Sequence, residues 1–366
     1  MRAFFFRPGK LSRRLRQAIA EAVAETGYRP GTSTRSQLSG VRVGYEIPRL
    51  LPGSTASPVM ARQLQLLVLV LERVGGTLLP FVVDPPAAVQ QQPVFGGTST
   101  EREDPALSQA AWLRAYQAAL APERYREQLR RHQVSAFIVN DPRVDDRRLA
   151  ALADEGVTAV SLAPARRSSP PDSEDRRISW VANDYVVGFR ALIDDLQAAN
   201  RTRVAHLGFA PDGYVIPEVR REAFKQVAGD RPRLELHYER SLDSSGVPAV
   251  ERFLREQEID ALVCDSDNLA NVAFSAAQRL GRDCARSASG SRALAITGID
   301  DAPVRQHVPP ECRWPTLALD EHAYYDAVVD VLTRRHKGEA DPIQVTVPPV
   351  LVGSLAHDAS HHRELS

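Results

Sequence analysis

The chain has 366 residues, of which 43% are hydrophobic and 25% charged, and these values exclude a disordered, fibrous or disulfide-stapled miniprotein class. About two domains are expected at this length. The formal net charge is zero, yet residues 1–42 hold nine Arg or Lys against two Glu. A basic segment attached to an acidic remainder is typical of an arm that binds a polyanion. It is equally typical of a basic tail that is only solvated.

The sequence contains no membrane or secretion signal. No run approaches the roughly 20 apolar residues of a membrane helix, and the apolar block 3–6 is too short for a signal sequence. We therefore predict a cytoplasmic protein with no membrane partner. The three cysteines, Cys264, Cys284 and Cys312, have no CxxC spacing, so we interpret them as packing residues and not as a disulfide framework or a zinc site.

The N-terminal segment carries the pattern of one amphipathic helix. Ser12 is a suitable N-cap, and Gly27 followed by Pro30 marks the end. Between them, apolar residues recur at the spacing of one helix face: Leu15, Ala18, Ile19, Ala22, Val23 and Thr26. This apolar stripe lacks an obvious local partner, because few residues precede it. Residues 31–40 are rich in Gly, Ser and Thr and predict a linker or a weak helix that forms on contact.

From residue 41 the pattern becomes an alternation of apolar strands and helices, which predicts parallel sheets covered on both faces. The strands are predicted at 41–47, 78–83, 134–139, 157–162, 204–208, 234–238, 261–264, 293–297 and 343–352. The helices are predicted at 59–74, 109–131, 147–154, 184–199, 218–227, 247–256, 269–280 and 321–336. Residues 84–107 read as a surface loop, and the Pro/Ser-rich stretch 164–175 as a crossing between two lobes. The predicted fold class is therefore α/β, with two doubly wound parallel-sheet lobes and a small molecule bound between them.

The motifs of the commonest enzyme classes are missing from the sequence, namely GxSxG, GxxxxGK, GxGxxG after a strand and HExxH. We therefore predict that the chain is not an enzyme, with no catalytic residue, no cofactor and no metal. Two acidic pairs, Asp265/Asp267 and Asp300/Asp301, each end an apolar strand. They fit hydroxyl-binding carboxylates, metal ligands or helix N-caps, of which capping is the commonest.

Short motifs follow one another in a fixed order along nearly the whole chain. They are Leu11-Ser12, Leu15-Arg16, Glu25-Thr26-Gly27-Tyr28-Arg29-Pro30, Arg35-Ser36, Val43-Gly44, Asn183-Asp184-Tyr185, His206-Leu207-Gly208, Arg220 with Phe224, Cys264-Asp265-Ser266-Asp267, Gly298-Ile299-Asp300-Asp301 and Pro315-Thr316. Their order and spacing over residues 7–356 resemble the lactose-repressor/galactose-repressor (LacI/GalR) family of transcriptional regulators.

The resemblance implies a core like the type I periplasmic binding proteins, which forms a homodimer, binds a small effector between its lobes and carries a helix-turn-helix head on double-stranded DNA. The matched part of the head begins after the recognition helix. The resemblance therefore implies one of two alternatives. Either the true start of the protein lies upstream of residue 1, or the chain is a core that has lost sequence-specific DNA recognition. The unpartnered apolar stripe favours an upstream start. The implied DNA-contacting residues are Arg13, Arg14, Arg16, Tyr28, Arg29, Arg35 and Leu38.

The resemblance also divides the chain into segments. Residues 1–30 would be a remnant of the head and residues 31–40 the hinge. The N-terminal lobe is assigned 41–165 plus about 299–320, the C-terminal lobe 166–298 plus about 321–353, and residues 354–366 are assigned to a disordered tail. In the family, a hinge leucine wedges between base pairs in the minor groove. That spacing falls on Gln37, so the neighbouring Leu38 is either the wedge or the first core contact of the body.

For the effector, the family pattern points to Arg220 and Asp267, because a guanidinium and a carboxylate suit paired sugar or nucleobase groups. Alternatively, Arg220 and Asp267 form an ion pair with each other that has only a structural role. Asn140 and the loop residues Pro48, Arg49 and Ser54 would line the other lobe. Tyr214 is either a ring-stacking residue or a core or rim tyrosine, and Ala163 stands where the family often has an Asp.

These observations predict an effector-responsive, DNA-binding transcriptional regulator, specifically a repressor, that senses a small polar ligand such as a sugar. The alternative is a stand-alone sugar-binding protein without sequence-specific DNA binding.

Overall fold

The computed structural model describes residues 37–47, 58–82, 122–132, 134–166, 178–237, 244–286, 288–290 and 292–355. The predicted head helix, the predicted loop 84–107 and residues 356–366 of the predicted tail lie outside these residues. So do the predicted effector-loop residues Pro48, Arg49 and Ser54 and every predicted DNA-contacting residue except Leu38. Ser354 and Leu355, which were assigned to the disordered tail, are instead ordered, because Leu355 is buried and its N–H donates to Asp195 Oδ2 at 2.9 Å. No helix within the described ranges is both long and apolar enough to cross a membrane.

Strands and helices alternate along most of the described chain, as the periodicity predicts, but the strands Ser179–Asn183 and Thr316–Ala318 were not predicted. In chain order the strands and helices are β1 (Arg42–Ile47), α1 (Pro58–Arg73), β2 (Thr77–Val82), α2 (Pro122–His132), β3 (Ala136–Val139), α3 (Arg147–Asp154), β4 (Thr158–Ser161), β5 (Ser179–Asn183), α4 (Tyr185–Ala198), β6 (Val204–Phe209), α5 (Val215–Ala228), β7 (Arg233–Leu236), α6 (Val247–Glu256), β8 (Ala261–Cys264), α7 (Asp267–Arg279), β9 (Ala295–Ile299), β10 (Thr316–Ala318), α8 (Glu321–His336), β11 (Gln344–Val347) and β12 (Val350–Val352).

The strands form two six-stranded sheets, each of which is the centre of one lobe. The sheet of the first lobe has the order β11-β5-β4-β3-β1-β2, and all its strand pairs are parallel. The sheet of the second lobe has the order β12-β10-β9-β8-β6-β7 and is parallel except at its edge, where β12 runs antiparallel to β10. The predicted fold class of two wound α/β lobes is therefore confirmed.

Each sheet buries both faces under helices, which is why its central strands are apolar without interruption. In the first lobe, α1 and α8 cover one face and α2 and α3 the other. In the second lobe, α6 and α7 cover one face and α4 and α5 the other. The strand β8 shows the alternation of a parallel strand: Ala261 and Val263 pack towards α4 and α5, and Leu262 and Cys264 towards α6 and α7.

The division of the chain between the lobes differs from the predicted boundaries. The strand β5 and the elements α8 and β11 belong to the first lobe, whereas β10 belongs to the second. The predicted boundaries placed residues 166–298 and about 321–353 in the C-terminal lobe and about 299–320 in the N-terminal lobe. The physical reason is packing, because Tyr324, Val328 and Leu332 of α8 share one apolar cluster with β1 and β3.

The single strand predicted at 343–352 is also corrected. It is two strands, β11 and β12, which belong to different sheets and are separated at residues 348–349. The chain thus crosses between the lobes after β5, after β10 and after β11. These adjacent crossings form the connection about which the two lobes face each other.

Leu38 lies in the core of the first lobe. Its side chain has no exposed surface, and it packs in the cluster of β1, α1 and α8. Its backbone N–H donates to the carbonyl of Val74 at 3.1 Å. The structure therefore matches the interpretation of Leu38 as the first core contact of the body, and it contradicts the DNA wedge, since a wedging leucine would have to leave this core.

Candidate functional site

The carboxyl ends of the strands of both lobes meet at one cleft. The turn after β3 contributes Asn140 and Asp141 from the first lobe, and Asp300 follows β9 in the second. Arg220 of α5 lies in the same region, because Arg220 and Asp300 both influence the pKa of Asp141 electrostatically. In open parallel sheets this edge is where ligands bind. The cleft between the lobes is therefore the candidate site.

Arg220 is the central cation of the second lobe's wall. Its Nη2 donates to the Tyr185 hydroxyl at 3.0 Å and to Asp300 Oδ1 at 3.2 Å, and its Nη1 donates to the carbonyl of Asp265. The guanidinium also stacks over the Tyr185 ring at 4.8 Å. Burial alone would lower the pKa of Arg220, but Tyr185, Asp300 and Asp265 raise it above its ordinary value, so the group stays charged.

The prediction that Arg220 and Asp267 form the effector-binding pair is not met by the geometry. Asp267 is fully buried, where its Oδ1 accepts a bond from the Trp314 indole at 2.8 Å and its Oδ2 accepts one from the Ala302 N–H at 2.6 Å. A Cβ at Gly298 would lie 2.1 Å from Asp267 Oδ1, so only glycine leaves room for this carboxylate. Burial raises the pKa of Asp267 to about 7. The carboxylate of Asp267 is thus already hydrogen-bonded inside the second lobe.

The partner of Arg220 is Asp300, which the sequence interpretation named as a strand-end carboxylate but did not choose. Its backbone has φ +100°, a conformation that non-glycine residues rarely adopt and that concentrates at functional sites. Its N–H donates to Leu317 O at 2.8 Å, which holds the turn in place. The neighbouring Asp301 pairs with Arg305 instead. The signal in the sequence was the position of Asp300 directly after β9.

Neither acidic pair acts chiefly as a helix cap. The N-cap of α7 is Ser266, whose Oγ accepts a bond from the Leu269 N–H at 3.1 Å. Asp265 is fully buried and lies 2.7 Å from Nε2 of His206, and this histidine together with Arg220 and Arg233 lowers its pKa against the effect of burial. Within the described ranges no group of three or more potential ligands gathers into a metal site.

The wall of the first lobe is the turn after β3. Asn140 Oδ1 accepts a bond from Gln63 of α1 at 3.3 Å, and its Nδ2 donates to Asp141 Oδ2 at 3.2 Å. Asp141 is exposed and has φ +43°, in the left-handed region. The predicted Asn140 therefore lies at the cleft, with Asp141 beside it as a residue that the sequence interpretation missed.

A buried charge network supports that turn from behind. Arg148 of α3 donates to the backbone carbonyls of Asn140 at 3.2 Å and Asp141 at 3.0 Å. The same guanidinium donates to Glu46 at 3.1 Å and to Asp146 at 2.7 Å, and the Tyr125 hydroxyl donates to Glu46 at 2.6 Å. The geometry of the turn is thus set by buried groups, which is how proteins hold binding residues in place.

At one edge of the cleft the lobes touch. The N–H of Val144 donates to Gly213 O at 2.9 Å, and the N–H of Val215 donates to Pro142 O at 3.1 Å. The guanidinium of Arg143 stacks on Tyr214 at 4.7 Å from its ring centre. Tyr214 is therefore a rim residue that contacts the other lobe, and its ring is covered by Arg143.

A bidentate ion pair strengthens this edge. Both terminal nitrogens of Arg166 in the first lobe lie 2.6 Å from the carboxylate oxygens of Glu222 in the second.

Ala163, where an acid was expected from the family pattern, is buried and its carbonyl accepts a bond from Ser161 Oγ at 2.7 Å.

Three polar atoms near the cleft are buried without a hydrogen-bond partner among the described residues. They are the Tyr45 hydroxyl, Asn183 Oδ1 and Arg220 Nε. Buried polar groups are ordinarily hydrogen-bonded, so the partner of each such atom is a ligand or a residue outside the described ranges. Two of them are donors and one is an acceptor.

Comparison with known proteins identifies the fold. No family model matches the sequence, and no curated protein matches it. Among solved structures, a regulatory protein of the LacI family from Chloroflexus aggregans has 19% identity and a TM-score of 0.60, over 88% of this chain and 98% of that one. The transcriptional regulator CelR in complex with cellobiose has 19% identity and a TM-score of 0.61, over 95% of this chain and 92% of that one.

A third similar structure is the lac repressor dimer bound to operator and the anti-inducer ONPF, with 17% identity and a TM-score of 0.60 over 94% of this chain and 98% of that one. At these identities the comparison shows the fold. The two lobes have the architecture of LacI-family regulators and periplasmic binding proteins, as the resemblance of the sequence implied.

Proposed function

We propose that the chain is the effector-sensing core of a DNA-binding transcriptional regulator, and that its effector binds in the cleft between the lobes. The observation that carries the proposal is Arg220, a buried and charged guanidinium with one unpartnered donor at the point where the lobes face each other. Asp300 shares the effector with Arg220, and Asn140 contacts it from the first lobe. The comparisons support this role, because the proteins of the same fold are regulators by name.

The effector is a small, hydroxyl-rich molecule of the sugar class. A hydroxyl group both donates and accepts, so one polyol can bond to the donors Tyr45 and Arg220 and to the acceptor Asn183. An arginine and a carboxylate side by side bind neighbouring hydroxyls in pairs. Two proteins of similar fold support this class, since one is described with cellobiose and another with D-xylulofuranose.

The basic segment 1–42 and its residues Arg13, Arg14, Arg16, Tyr28, Arg29 and Arg35 provide the proposed DNA contacts. Such binding weakens steeply with salt, because phosphate contacts release counterions. The working unit is a homodimer.

Effector binding changes the affinity for DNA by changing the orientation of one lobe relative to the other. The chain crosses between the lobes after β5, β10 and β11, so any change in the cleft alters the orientation of the first lobe and of the segment that precedes it. Coupling of this kind is typically about 1–3 kcal/mol, which corresponds to a several-fold to hundred-fold change in DNA affinity. In this scheme the chain acts as a repressor whose affinity for DNA changes when the effector binds.

A calorimetric titration with sugars, repeated on Arg220→Met, tests the proposal. Truncating a buried charged group leaves its partners unpaired, so we expect about a hundredfold loss of affinity. Arg252→Met, which changes an exposed arginine of α6, is the matched control and should bind like the parent chain. A sugar that binds equally well to Arg220→Met would contradict the assigned site. Effector binding without salt-dependent DNA binding would favour the stand-alone sugar-binding protein.

A further inference from the structure

The charged side chains around the cleft differ in whether they are paired. Among the described residues, Glu46 and Asp146 are buried with Arg148 behind the turn, and Asp300 contacts Arg220. Arg143 of the same turn lies over the Tyr214 ring at the edge of the cleft. The carboxylates that remain at the described walls are those of Asp141 and Asp300.

Both arginines are already engaged by carboxylates. Arg148 lies 3.1 Å from Glu46 and 2.7 Å from Asp146, and all three groups are largely buried. Arg220 lies 3.2 Å from Asp300. Asp141 has no such partner, since within the described chain the hydrogen bond to its carboxylate comes from the amide of Asn140. Asp141 is thus the cleft carboxylate that has no ion-pair partner among the described residues.

Asp141 is held in a position that faces both lobes. Its backbone conformation, at φ +43°, is fixed by the bond from Arg148 to its carbonyl. Burial of the surrounding site raises the pKa of Asp141, Arg148 and Arg220 oppose that rise, and the carboxylates of Glu46 and Asp300 add to it. A cation placed here would remove the repulsion among these carboxylates.

A second, independent group points to a ligand at the same place. The Tyr45 hydroxyl is buried, with the residue only 1% exposed, and it has no hydrogen-bond partner among the described residues. The Asp141 carboxylate is near enough to add to the effect of burial in raising the pKa of Tyr45. A ligand that contacts Asp141 can therefore also satisfy this hydroxyl.

Resting on the proposed function of the cleft, we propose that the effector is an amino-bearing polyol whose protonated nitrogen pairs with Asp141 while its hydroxyls bind Arg220 and Asp300. The ammonium group supplies a positive charge beside Asp141, whose carboxylate has no ion-pair partner among the described residues. Sugar phosphates and sugar acids are poor ligands, because their negative charge would face Asp141 and Asp300. This specificity belongs to Asp141, which is separate from the Arg220 and Asp300 pair that recognises hydroxyl groups.

The test compares matched neutral, amino and anionic forms of one scaffold by calorimetry at pH 7. Suitable sets are glucose, glucosamine and glucose 6-phosphate, and the disaccharides cellobiose, its diamino analogue and cellobionate. We expect the amino form of the scaffold that binds to have about tenfold higher affinity than the neutral form, and the anionic form the lowest affinity. Asp141→Asn should abolish the preference for the amino form.

The substitution is chosen so that folding is preserved, because asparagine tolerates the left-handed backbone better than other residues. Asp145→Asn is the matched control. Asp145 is another exposed aspartate with positive φ in the same turn, at +56°, and it should leave the preference unchanged.

The outcomes separate this inference from the proposed function. Equal affinity for neutral and amino forms, or tightest binding of an anionic form, would overturn the inference and leave the proposed effector site in place. Absence of binding by every member of every set would overturn both.

Discussion

The two walls of the cleft are built in opposite ways. The polar groups of the second lobe, such as Arg220 and Asp265, are buried and bonded to one another within that lobe. The polar side chains of the first lobe's turn, Asn140 and Asp141, lie at the surface, and only their backbone is held by a buried network. The wall of the second lobe is thus preorganised at its side chains, whereas the wall of the first lobe is preorganised at its backbone.

This difference assigns different tasks to the lobes. A side chain such as Arg220, which is fixed before the ligand arrives, contributes affinity at low entropic cost. Side chains at the surface of a fixed turn can be exchanged without loss of the fold, and they are where specificity can change. The second lobe therefore provides the general contacts to hydroxyl groups, and the first lobe selects among ligands.

The largest expected effect is on the backbone support of the first lobe. Arg148→Met removes the cation that neutralises Glu46 and Asp146 and that binds two carbonyls of the turn. Breaking a buried ion pair by removing one partner typically costs about 3–5 kcal/mol, so urea denaturation should show a loss of about 4 kcal/mol.

The control for this substitution is Arg147→Met, because Arg147 is the exposed neighbour on the same helix. It should change stability by less than about 0.5 kcal/mol. Equal losses for the two variants would contradict the assignment of Arg148 as the support of the turn.

The next effect concerns the buried carboxylate of the second lobe. Burial raises the pKa of Asp267 to about 7, well above its ordinary value, so the folded protein holds a proton that the unfolded chain releases. Stability should therefore fall as the pH rises from about 4 to 7, with a slope of at most about 1.4 kcal/mol per pH unit, and become level above that range.

Asp267→Asn should remove this slope, although it costs about 1–3 kcal/mol because one of the two bonds to the carboxylate is lost. Thermal unfolding between pH 4 and 8 measures both effects. Asp194→Asn, at an exposed position on α4, should keep the slope of the parent chain. If the Asp267→Asn variant retains the parent slope, Asp267 does not titrate in this range.

The smallest effect is at the edge where the walls touch. Glu222→Gln breaks the ion pair with Arg166, and since Glu222 is 54% exposed, less than about 1 kcal/mol is expected, diminishing with salt. Loss of this contact should speed hydrogen exchange at the amides of Val144 and Val215, which bond across the edge. Glu256→Gln on α6 is the control. Unchanged exchange in Glu222→Gln would mean that the backbone bonds alone hold the edge.

The fold could be read from the sequence because strand and helix periods are local properties. The apolar strand pattern and the helix stripe identified β3, α1 and α8 within a few residues. The lobe to which the last elements belong is a long-range property. The chain 343–352 has the pattern of one strand, and only packing against α8 or β10 determines that β11 and β12 enter different sheets.

The binding site could be predicted from the sequence only in part, because it too depends on long-range packing. Asp267 and Asp300 both follow apolar strands, so the sequence alone does not separate them. What separates them is three-dimensional: Trp314 and the space beside Gly298 bury Asp267, and a positive φ turns Asp300 towards Arg220. Asn140 was predicted and lies at the cleft, whereas Asp141 depends on a backbone conformation that Arg148 imposes from a distance.

The account's central claim is that one small polar molecule contacts both walls at once. Hydrogen exchange measured with and without a bound sugar tests this directly, in peptides that cover residues 140–146 of the first lobe and residues 300–302 of the second. The account predicts that both peptides gain protection at the same ligand concentration, and that Arg220→Met removes the protection from both. Protection confined to one lobe, or protection that persists in Arg220→Met, would contradict it.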